Sequence, residues 1–579
     1  MTDTAPPSPS GHGTVPGTRS GDAPAPSSGP GAPKRDWWQR RYTFCGTAVG
    51  LLFLLLSMTP SLLPRGPLFQ GLVSGTAGAI GYGLGVFAVW LVRFMQSRQT
   101  SPAPPRWAWL VLAVAGAIAL MIGILYFHSW QNQVRDLMGV PRLRWFNYPQ
   151  AAFLSVLLLF VFVEIGQLIG RLVRFGVRQL NRVAPPRVSF VVVVSLLLAL
   201  GIAILNGVVV RGAMSILNST FSAVNDEMDP NNPAPRTPLR SGGPGSLVSW
   251  ESLGHQGRLF VGNGPTVAQL TEFNGRPAIE PIRAYAGLNS AKGIRATAEL
   301  AAAELVREGG LKRKVIAVAT TTGTGWINAA EADSLEYMFN GDTAIVSMQY
   351  SFLPSWLSFL VDKENARQAG QALFEAVDAK VRELPEAERP KIVVFGESLG
   401  SFGGEAPFLS PNNIIARTNG ALFSGPTFQN TMRDAVTDDR DPGSPEWLPI
   451  FDDGANVRFA ARPENLDRPD APWGTPRIVY LQHASDPIAW FNPELLFAEP
   501  DWLREPRGYD VSHDMNWIPV VTFLQVAADM AVAVDVPDGH GHRYVKDVVN
   551  AWAAVLQPPG WTPAKTETLR GRVTQDYPQ

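Results

Sequence analysis

The sequence predicts two architectures in one chain: an N-terminal helical transmembrane bundle of about five spans, and a C-terminal domain with a mostly parallel β-sheet covered by helices on both faces. Five apolar runs follow one another in the first 211 residues. After residue 245, β-branched runs alternate with segments of helical apolar spacing, which is typical of a parallel sheet with crossover helices. Charged residues make up only 17% of the chain, against about 25% in a typical soluble protein.

Composition divides the chain into five segments. Residues 1–33 are rich in Pro, Gly and Ser and are predicted to be a disordered tail, because they carry too little apolar surface to offset the entropy of ordering. The membrane bundle is expected over 34–211 and a linker rich in Pro, Asn and Gly over 212–245. A folded domain is expected over 246–560, followed by a C-terminal tail over 561–579.

The five apolar runs are each long enough to cross about 30 Å of hydrocarbon at 1.5 Å per residue. They are Tyr42–Pro64, Leu68–Val92, Trp107–Phe127, Ala151–Gly170 and Val188–Val210. The alternative, core helices of a soluble protein, is disfavoured by five such runs in succession. Glycines at helical spacing in the second run would let neighbouring helices approach closely. Glu164 is the one acid inside a span, and it indicates a helix–helix hydrogen bond, a position near the interface, or, less favoured, a proton or ion path.

Basic residues between the runs predict the orientation. One set of loops is rich in Lys and Arg: Lys34, Arg35, Arg40, Arg41, Arg93, Arg98, Arg106, Arg171, Arg174, Arg178, Arg182 and Arg187. The opposite loops hold Arg65, Arg135, Arg142 and Arg144. Because the richer side stays inside, the N-terminus is expected in the cytoplasm. An odd number of spans then places the C-terminal domain on the outer face of the cell membrane.

A nucleophile is predicted where a buried strand ends. The apolar run Ile392–Phe395 leads into Gly396-Glu-Ser-Leu-Gly400, a G-x-S-x-G pattern in the strand-to-turn setting of a nucleophile elbow. Glycines flank such a turn because a Cβ would collide with neighbouring backbone. Ser398 is therefore the candidate nucleophile, and the Leu399 N–H is a candidate oxyanion donor.

The acid and the base that a serine needs follow later in the chain. Asp486 comes just after the apolar run Arg477–Gln482, where the orienting acid is expected, and an Asp-Pro turn is the less favoured alternative. Two histidines, His540 and His542, lie in the loop before the last predicted helix of the domain. Glycines on both sides of His540 would allow a close approach, so the sequence favours His540 slightly over His542.

A second oxyanion donor is expected from a loop after an early strand. The loop Thr320–Trp326 is rich in Gly and Thr, and its exposed amides or hydroxyls at Thr322, Gly323 and Thr324 are the candidates. A phosphate-binding loop is the alternative, but the G-x-x-x-x-G-K-[ST] pattern is absent from this loop.

No cofactor or metal is expected. The residues His483, Asp486, His540 and His542 form a loose zinc-like set, but neither an H-E-x-x-H pattern nor paired cysteines accompany it. The chain has a single cysteine, Cys45, so no disulfide framework is predicted. A net charge of −1 gives no indication of nucleic-acid binding.

Several motifs together resemble a known family. They are Pro60-Ser-Leu-Leu-Pro-Arg65 with Gln70-Gly71, Thr322-Gly-Thr-Gly-Trp326, Gln349-Tyr-Ser-Phe-Leu-Pro-Ser-Trp-Leu357, Gly396-Glu-Ser-Leu-Gly400, Gln482-His-Ala-Ser-Asp486 and Gly539-His-Gly-His542. The C-terminal half resembles the α/β-hydrolase superfamily, and residues 42–560 resemble the actinobacterial membrane α/β-hydrolases with a multi-span N-terminal domain. This resemblance implies a triad of Ser398, Asp486 and one of the two histidines.

The expected function is a membrane-embedded serine hydrolase that cleaves an ester or thioester of a lipid or cell-envelope substrate. An envelope acyltransferase with the same triad is the nearest alternative, and a transporter or scaffold with a non-catalytic outer domain is the alternative from another class. The aromatic stretch Tyr350–Leu360 is either packing or the wall of an acyl pocket. The polar insertion Thr427–Trp473 is expected to cap the site. The oligomeric state is left open.

Overall fold

A computed structural model describes residues 42–96, 104–204 and 211–577 of the 579-residue chain. The predicted disordered tail and Arg98 lie outside these ranges. The described residues from Cys45 onward belong to one compact unit.

The N-terminal region is helical. Its helices are α1 (Phe44–Leu56), α2 (Pro67–Met95), α3 (Arg106–Leu137), α4 (Tyr148–Leu180) and α5 (Pro186–Ile204). The helices α2 to α5 are long and apolar enough to cross a membrane, in agreement with four of the predicted spans. The first predicted span differs, because α1 has 13 residues and ends before Pro60. Residues 205–210 of the fifth run lie outside the described ranges.

Close helix packing in the bundle follows from the glycines of α2. A Cβ placed on Gly71 would lie 2.7 Å from Leu154 Cβ, and one on Gly75 would lie 2.8 Å from the Ser155 carbonyl oxygen. Helices α2 and α4 therefore touch where only glycine fits, as the spacing predicts. Glu164 of α4 lies 3.7 Å from the guanidinium of Arg171 on the same helix, so this acid has a basic partner.

The C-terminal domain is built on a seven-stranded, wholly parallel sheet. Its strands are β1 (Ile282–Ala286), β2 (Val315–Thr320), β3 (Thr343–Met348), β4 (Lys391–Glu397), β5 (Gly420–Ser424), β6 (Val457–Ala460) and β7 (Arg477–Leu481). The strand order is β1-β3-β2-β4-β5-β7-β6, which places the candidate nucleophile strand β4 at the centre.

Helices surround this sheet. They are α6 (Arg211–Asp226), α7 (Gly254–Gly262), α8 (Val267–Asn274), α9 (Ile294–Arg307), α10 (Ala329–Met338), α11 (Ser355–Val361), α12 (Lys363–Arg382), α13 (Leu399–Glu405), α14 (Pro411–Arg417), α15 (Thr431–Asp438), α16 (Pro487–Trp490), α17 (Asp501–Arg504), α18 (Val521–Met530), α19 (Asp547–Leu556) and α20 (Pro563–Asp576). Short 3₁₀ turns lie at Trp145–Asn147, Trp250–Leu253, Gly310–Lys312, Glu386–Glu388, Asp452–Gly454, Pro463–Asp467 and Pro493–Leu496.

Two apolar clusters cover the two faces of the sheet, so every residue of β2 and β3 is buried. The predicted fold class is thereby confirmed.

Two strands break the pattern that the sequence argument relies on. Strand β1 carries Arg283, which is buried because it donates to Glu336 and Asp333 at 2.6–2.9 Å. Strand β6 has only four residues and includes Arg458. Since β6 and α15 lie within Thr427–Trp473, that insertion completes the edge of the sheet and is not simply a cap.

Two segments predicted to be irregular contain helices. The stretch expected to be a linker begins as α6, and the stretch expected to be a tail forms α20. Leu569 and Val573 of α20 are buried against the domain core, which explains why this amphipathic segment folds onto it. Asn225, near the end of α6, accepts a hydrogen bond of 2.7 Å from Gln349, so α6 is also tied to the sheet domain.

The loop between α1 and α2 inserts into the C-terminal domain. Leu62 and Leu63 are fully buried in an apolar cluster that includes Val526 of α18. Ser61 Oγ donates to Asp529 Oδ2, and the Leu63 N–H donates to the same oxygen over 3.3 Å. Burying one leucine contributes about 1.5–3 kcal/mol. The end of the first apolar run is therefore packed in the C-terminal domain and is not part of a span.

Candidate active site

The turn at Ser398 has the geometry of a nucleophile elbow. Ser398 follows β4 with φ +58° and ψ −121°, a conformation that a residue with a side chain rarely adopts. A Cβ on Gly396 would lie 2.5 Å from the Gly400 carbonyl group, and one on Gly400 would overlap the Thr320 carbonyl oxygen. The flanking glycines are therefore required. Helix α13 begins at Leu399, whose N–H has no acceptor within the helix.

Asp486 and His542 form a buried pair beyond the ends of the strands. His542 Nδ1 lies 2.7 Å from Asp486 Oδ2, which also accepts a hydrogen bond of 2.8 Å from the Tyr544 hydroxyl. The Ile488 N–H donates to the other carboxylate oxygen over 2.9 Å. Because an ionised carboxylate can only accept, the neutral imidazole carries its proton on Nδ1. This arrangement leaves the lone pair on Nε2.

The other nitrogen of His542, Nε2, lies on the side of the ring away from Asp486. Nε2 is buried and has no hydrogen-bond partner within the described part of the chain. Gly425, directly after β5, holds the ring in place, because a Cβ there would lie 2.6 Å from His542 Cε1. The preceding residue, Ser424, accepts the Ser398 N–H over 3.0 Å. The end of β5 therefore joins the elbow to the histidine.

The charge on His542 is governed by opposing effects. Burial disfavours the imidazolium, but the adjacent Asp486 carboxylate attracts and hydrogen-bonds it, and the net result raises the pKa of His542 above its ordinary value of 6.5. Glu397 acts in the same direction on the pKa of His542.

His540 belongs to a separate pair. Its Nδ1 lies 3.0 Å from Asp510 Oδ2, and the same carboxylate oxygen accepts a hydrogen bond of 2.6 Å from Ser485. The sequence preference for His540 is thus not supported by the geometry, which joins His542 to Asp486. Gly541, one of the two glycines beside His540, has φ +52° and packs so closely that a Cβ there would lie 2.6 Å from the Ala533 carbonyl oxygen.

The predicted oxyanion loop lies beside the elbow, as the contact between Gly400 and Thr320 requires. The Thr322 N–H donates to the Trp326 carbonyl over 2.9 Å, so this amide is not free to bind an oxyanion. The Gln349 side chain binds the Thr324 carbonyl at 3.1 Å and fixes the loop. The amides of Gly323 and Thr324 stay as predicted donors.

Residues that the sequence argument missed complete the site. Glu397, next to the candidate nucleophile, accepts a hydrogen bond of 2.5 Å from Asn328, which also donates to the Tyr544 carbonyl at 2.8 Å. Burial raises the pKa of Glu397 to about 7, and the nearby His542 limits the rise. Glu397 could have been identified from the sequence, because it lies inside the G-x-S-x-G pattern. No sequence pattern indicates that Asn328 or Tyr544 belongs to the site.

A cavity of about 440 Å³ reaches this cluster from the side of α7 and α10. Its lining includes Glu397, His542, Leu259, Phe260 and Trp326. The volume falls within the range of small-molecule pockets, and the aromatic and aliphatic lining suits an apolar group.

The residues His483, Asp486, His540 and His542 do not form a metal-binding cluster in the structure. His483 is buried, stacks on Tyr544 at 4.1 Å between ring centroids, and places Nδ1 2.9 Å from the Gly541 carbonyl oxygen. Across residues 42–96, 104–204 and 211–577, no three His, Cys, Asp or Glu side chains are grouped to hold a metal ion.

The membrane region reaches the histidine loop. A Cβ on Gly541 would lie 3.4 Å from Leu63 Cδ2, and the His542 N–H donates to the Ala533 carbonyl over 2.8 Å. Ala533 and Leu63 belong to the same buried cluster. The α1–α2 loop therefore packs directly beneath the two histidines.

Comparison with known proteins gives two matches to family models. The model described as the alpha/beta-hydrolase family matches residues 282–569, and the model of that family's N-terminus matches residues 58–265. The first range contains Ser398, Asp486 and both candidate histidines. No curated protein and no solved structure matches the chain.

Proposed function

We propose, from the premise that this chain belongs to the α/β-hydrolase family, that it is a membrane-integral serine hydrolase cleaving ester or thioester bonds. One observation carries the proposal. His542 is a buried imidazole that Asp486 orients, its Nε2 is unpaired within the described residues, and it lines the same cavity as Glu397, the residue before Ser398 in the strained elbow. A serine, a base and an orienting carboxylate in this relation are the requirements of nucleophilic acyl transfer.

In the first half of the reaction Ser398 Oγ attacks the carbonyl carbon of the substrate, and its proton passes to His542 Nε2. Asp486 stabilises the imidazolium that forms. The Leu399 N–H, with a second amide from Gly323 or Thr324, stabilises the negative charge on the carbonyl oxygen. The tetrahedral intermediate collapses to an acyl-enzyme on Ser398, and the departing alcohol or thiol takes the proton from His542.

In the second half, water gives a proton to His542 Nε2 and attacks the acyl carbonyl carbon. Collapse of the second intermediate breaks the bond to Ser398 Oγ, which recovers the proton from His542, and releases the carboxylic acid. An alcohol acceptor would enter by the same route and make the enzyme an acyltransferase, so the chemistry of the triad is common to both functions.

The pH profile should report the state of His542. Because the base must be neutral and its pKa is raised, we expect kcat/KM to fall as the pH drops through a midpoint above 6.5. Asp486→Asn should move this acid limb to lower pH while reducing the rate. Asp510→Asn, at the other carboxylate–histidine pair, is the control and should leave the midpoint in place. A midpoint that follows Asp510 instead would assign the base to His540.

The substrate is proposed to be a lipid or another ester of the cell envelope. The support is the helical bundle joined directly to the histidine loop through Leu63. The distribution of basic residues further supports a cytoplasmic N-terminus, and the short apolar helix α1, counted together with α2–α5, makes five spans and an extracytoplasmic catalytic domain. A reporter fused to the C-terminus that works only in the cytoplasm would contradict this orientation.

The proposed function is tested with the purified full-length chain in lipid vesicles. Envelope lipid extracts are supplied with and without a soluble alcohol acceptor, and products are identified by mass spectrometry. Free fatty acid released by the wild type and not by Ser398→Ala is the expected result. Transfer to the alcohol in preference to water would identify an acyltransferase. Neither product, from a chain that also leaves short soluble esters intact, would reject the proposal.

A further inference from the structure

Four half-buried phenylalanines form a row across the C-terminal domain. They are Phe359, Phe428, Phe491 and Phe523, and successive ring centroids are 5.2, 5.1 and 5.3 Å apart. The rings come from four separate segments of the chain: α11, the loop after β5, the residue after α16, and α18. No periodic pattern in the sequence indicates such a row.

One end of the row lies at the proposed active site. Ser358, the neighbour of Phe359, packs against the oxyanion loop, since a Cβ on Gly323 would lie 2.5 Å from Ser358 Cβ. Phe428 is three residues after Gly425, which contacts the proposed base. The Phe428 N–H donates over 3.0 Å to a carbonyl of α16, the helix that the proposed triad acid caps.

The other end lies at the membrane bundle. Phe523 is on α18, which packs against α2, and two residues later Gln525 donates a hydrogen bond of 2.9 Å to the Thr59 carbonyl. The first turns of α2 expose Leu68 and Leu72, by 64% and 41% respectively, as expected of side chains that face lipid. The row thus begins where a membrane span ends.

We propose that this phenylalanine row binds the acyl chain of a membrane lipid and leads its ester to Ser398, an inference that rests on the proposed hydrolase function. A contiguous row of half-buried rings is suited to an extended aliphatic chain, and the residues beside its two ends contact the bundle and the oxyanion loop. Its continuity with α2 favours a chain from the bilayer as its occupant.

Chain-length selectivity of the full-length enzyme tests the row. The ratio of kcat/KM for a p-nitrophenyl ester of a sixteen-carbon acid to that of a four-carbon acid is measured in detergent. We expect Phe523→Ala and Phe491→Ala each to lower this ratio by about tenfold, mainly through KM for the long ester. Any misfolded protein lowers the two rates by the same factor and leaves their ratio unchanged, because both esters are measured on one sample.

Phe273→Ala is the matched control. Phe273 is also half-buried and lies 5.0 Å from Tyr337, but it sits on α8 away from the row. Its variant should keep the wild-type ratio. An unchanged ratio in the row variants, or an equal fall in Phe273→Ala, would overturn the proposal and leave the rings as packing alone.

A binding measurement separates this inference from the proposed function. The Ser398→Ala chain in vesicles is irradiated with a phospholipid that carries a diazirine at the end of one acyl chain. We expect adducts on peptides that contain the four phenylalanines, and adducts confined to α2–α5 would overturn the row. Adducts on the row, together with a wild type that cleaves neither ester, would retain the lipid site and reject the hydrolase.

Discussion

Ser398→Ala is expected to lower kcat by about 10⁴-fold or more and to abolish labelling by a fluorophosphonate probe. The reason is that only Ser398 occupies the strained elbow at the central strand, with a helix N-terminus behind it. Without its hydroxyl no acyl-enzyme forms. The residual rate would come from substrate binding and the oxyanion donors.

A matched control lies one turn along the same helix. Ser401 is buried and its Oγ donates to the Ser398 carbonyl over 2.7 Å. Ser401→Ala removes the same atom from the same helix, so it should stay reactive towards the probe. Equal labelling of Ser398→Ala and the wild type would show that the nucleophile lies elsewhere.

The two histidines should differ sharply. His542→Ala is expected to reduce kcat by about 10⁴-fold, because it removes the imidazole that Asp486 orients. His540→Ala should cost far less, because His540 is paired with Asp510 and not with Asp486. Kinetics on a short soluble ester, at equal concentrations of folded protein, measure both.

The opposite pattern of activities in the two histidine variants would contradict the assignment of His542 as the base. An inactive His540→Ala beside a normal His542→Ala would make the Asp510 pair the working one. Two normal variants would remove histidine from the mechanism and with it the proposed triad.

The elements that the sequence predicts well are those defined by local patterns. Strand β3, Thr343–Met348, is of this kind, because its residues are uniformly apolar or small and all of them are buried. The elbow is likewise local, since its two glycines and Ser398 lie within five residues. Both the strand and the elbow can therefore be predicted without knowing which distant residues they contact.

Elements decided by distant contacts were missed or left open. After α1 ends before Pro60, the rest of the first apolar run is placed by distant contacts, because Ser61 and Leu63 bind Asp529, 468 and 466 residues away in the chain. The choice between His540 and His542 depends on Asp510, which the sequence does not single out. The two histidines are only two residues apart, so pattern and spacing cannot separate them.

A buried charged residue made strand β1 difficult to predict from the sequence. Arg283 interrupts the apolar pattern of β1, yet it is buried because Glu336 and Asp333 neutralise it. A buried charge with such partners is tolerated in a core, although a pattern argument treats it as exposed. This explains why the edge strand β1 was not predicted.

The most direct measurement is the site of covalent modification in the wild-type chain. The full-length protein is treated with a fluorophosphonate until ester turnover stops, digested and analysed by mass spectrometry. We expect one phosphonate per inactivated chain, on Ser398 within Gly396-Glu-Ser-Leu-Gly400. A modification on any other residue, or complete inactivation with Ser398 unmodified, would contradict it.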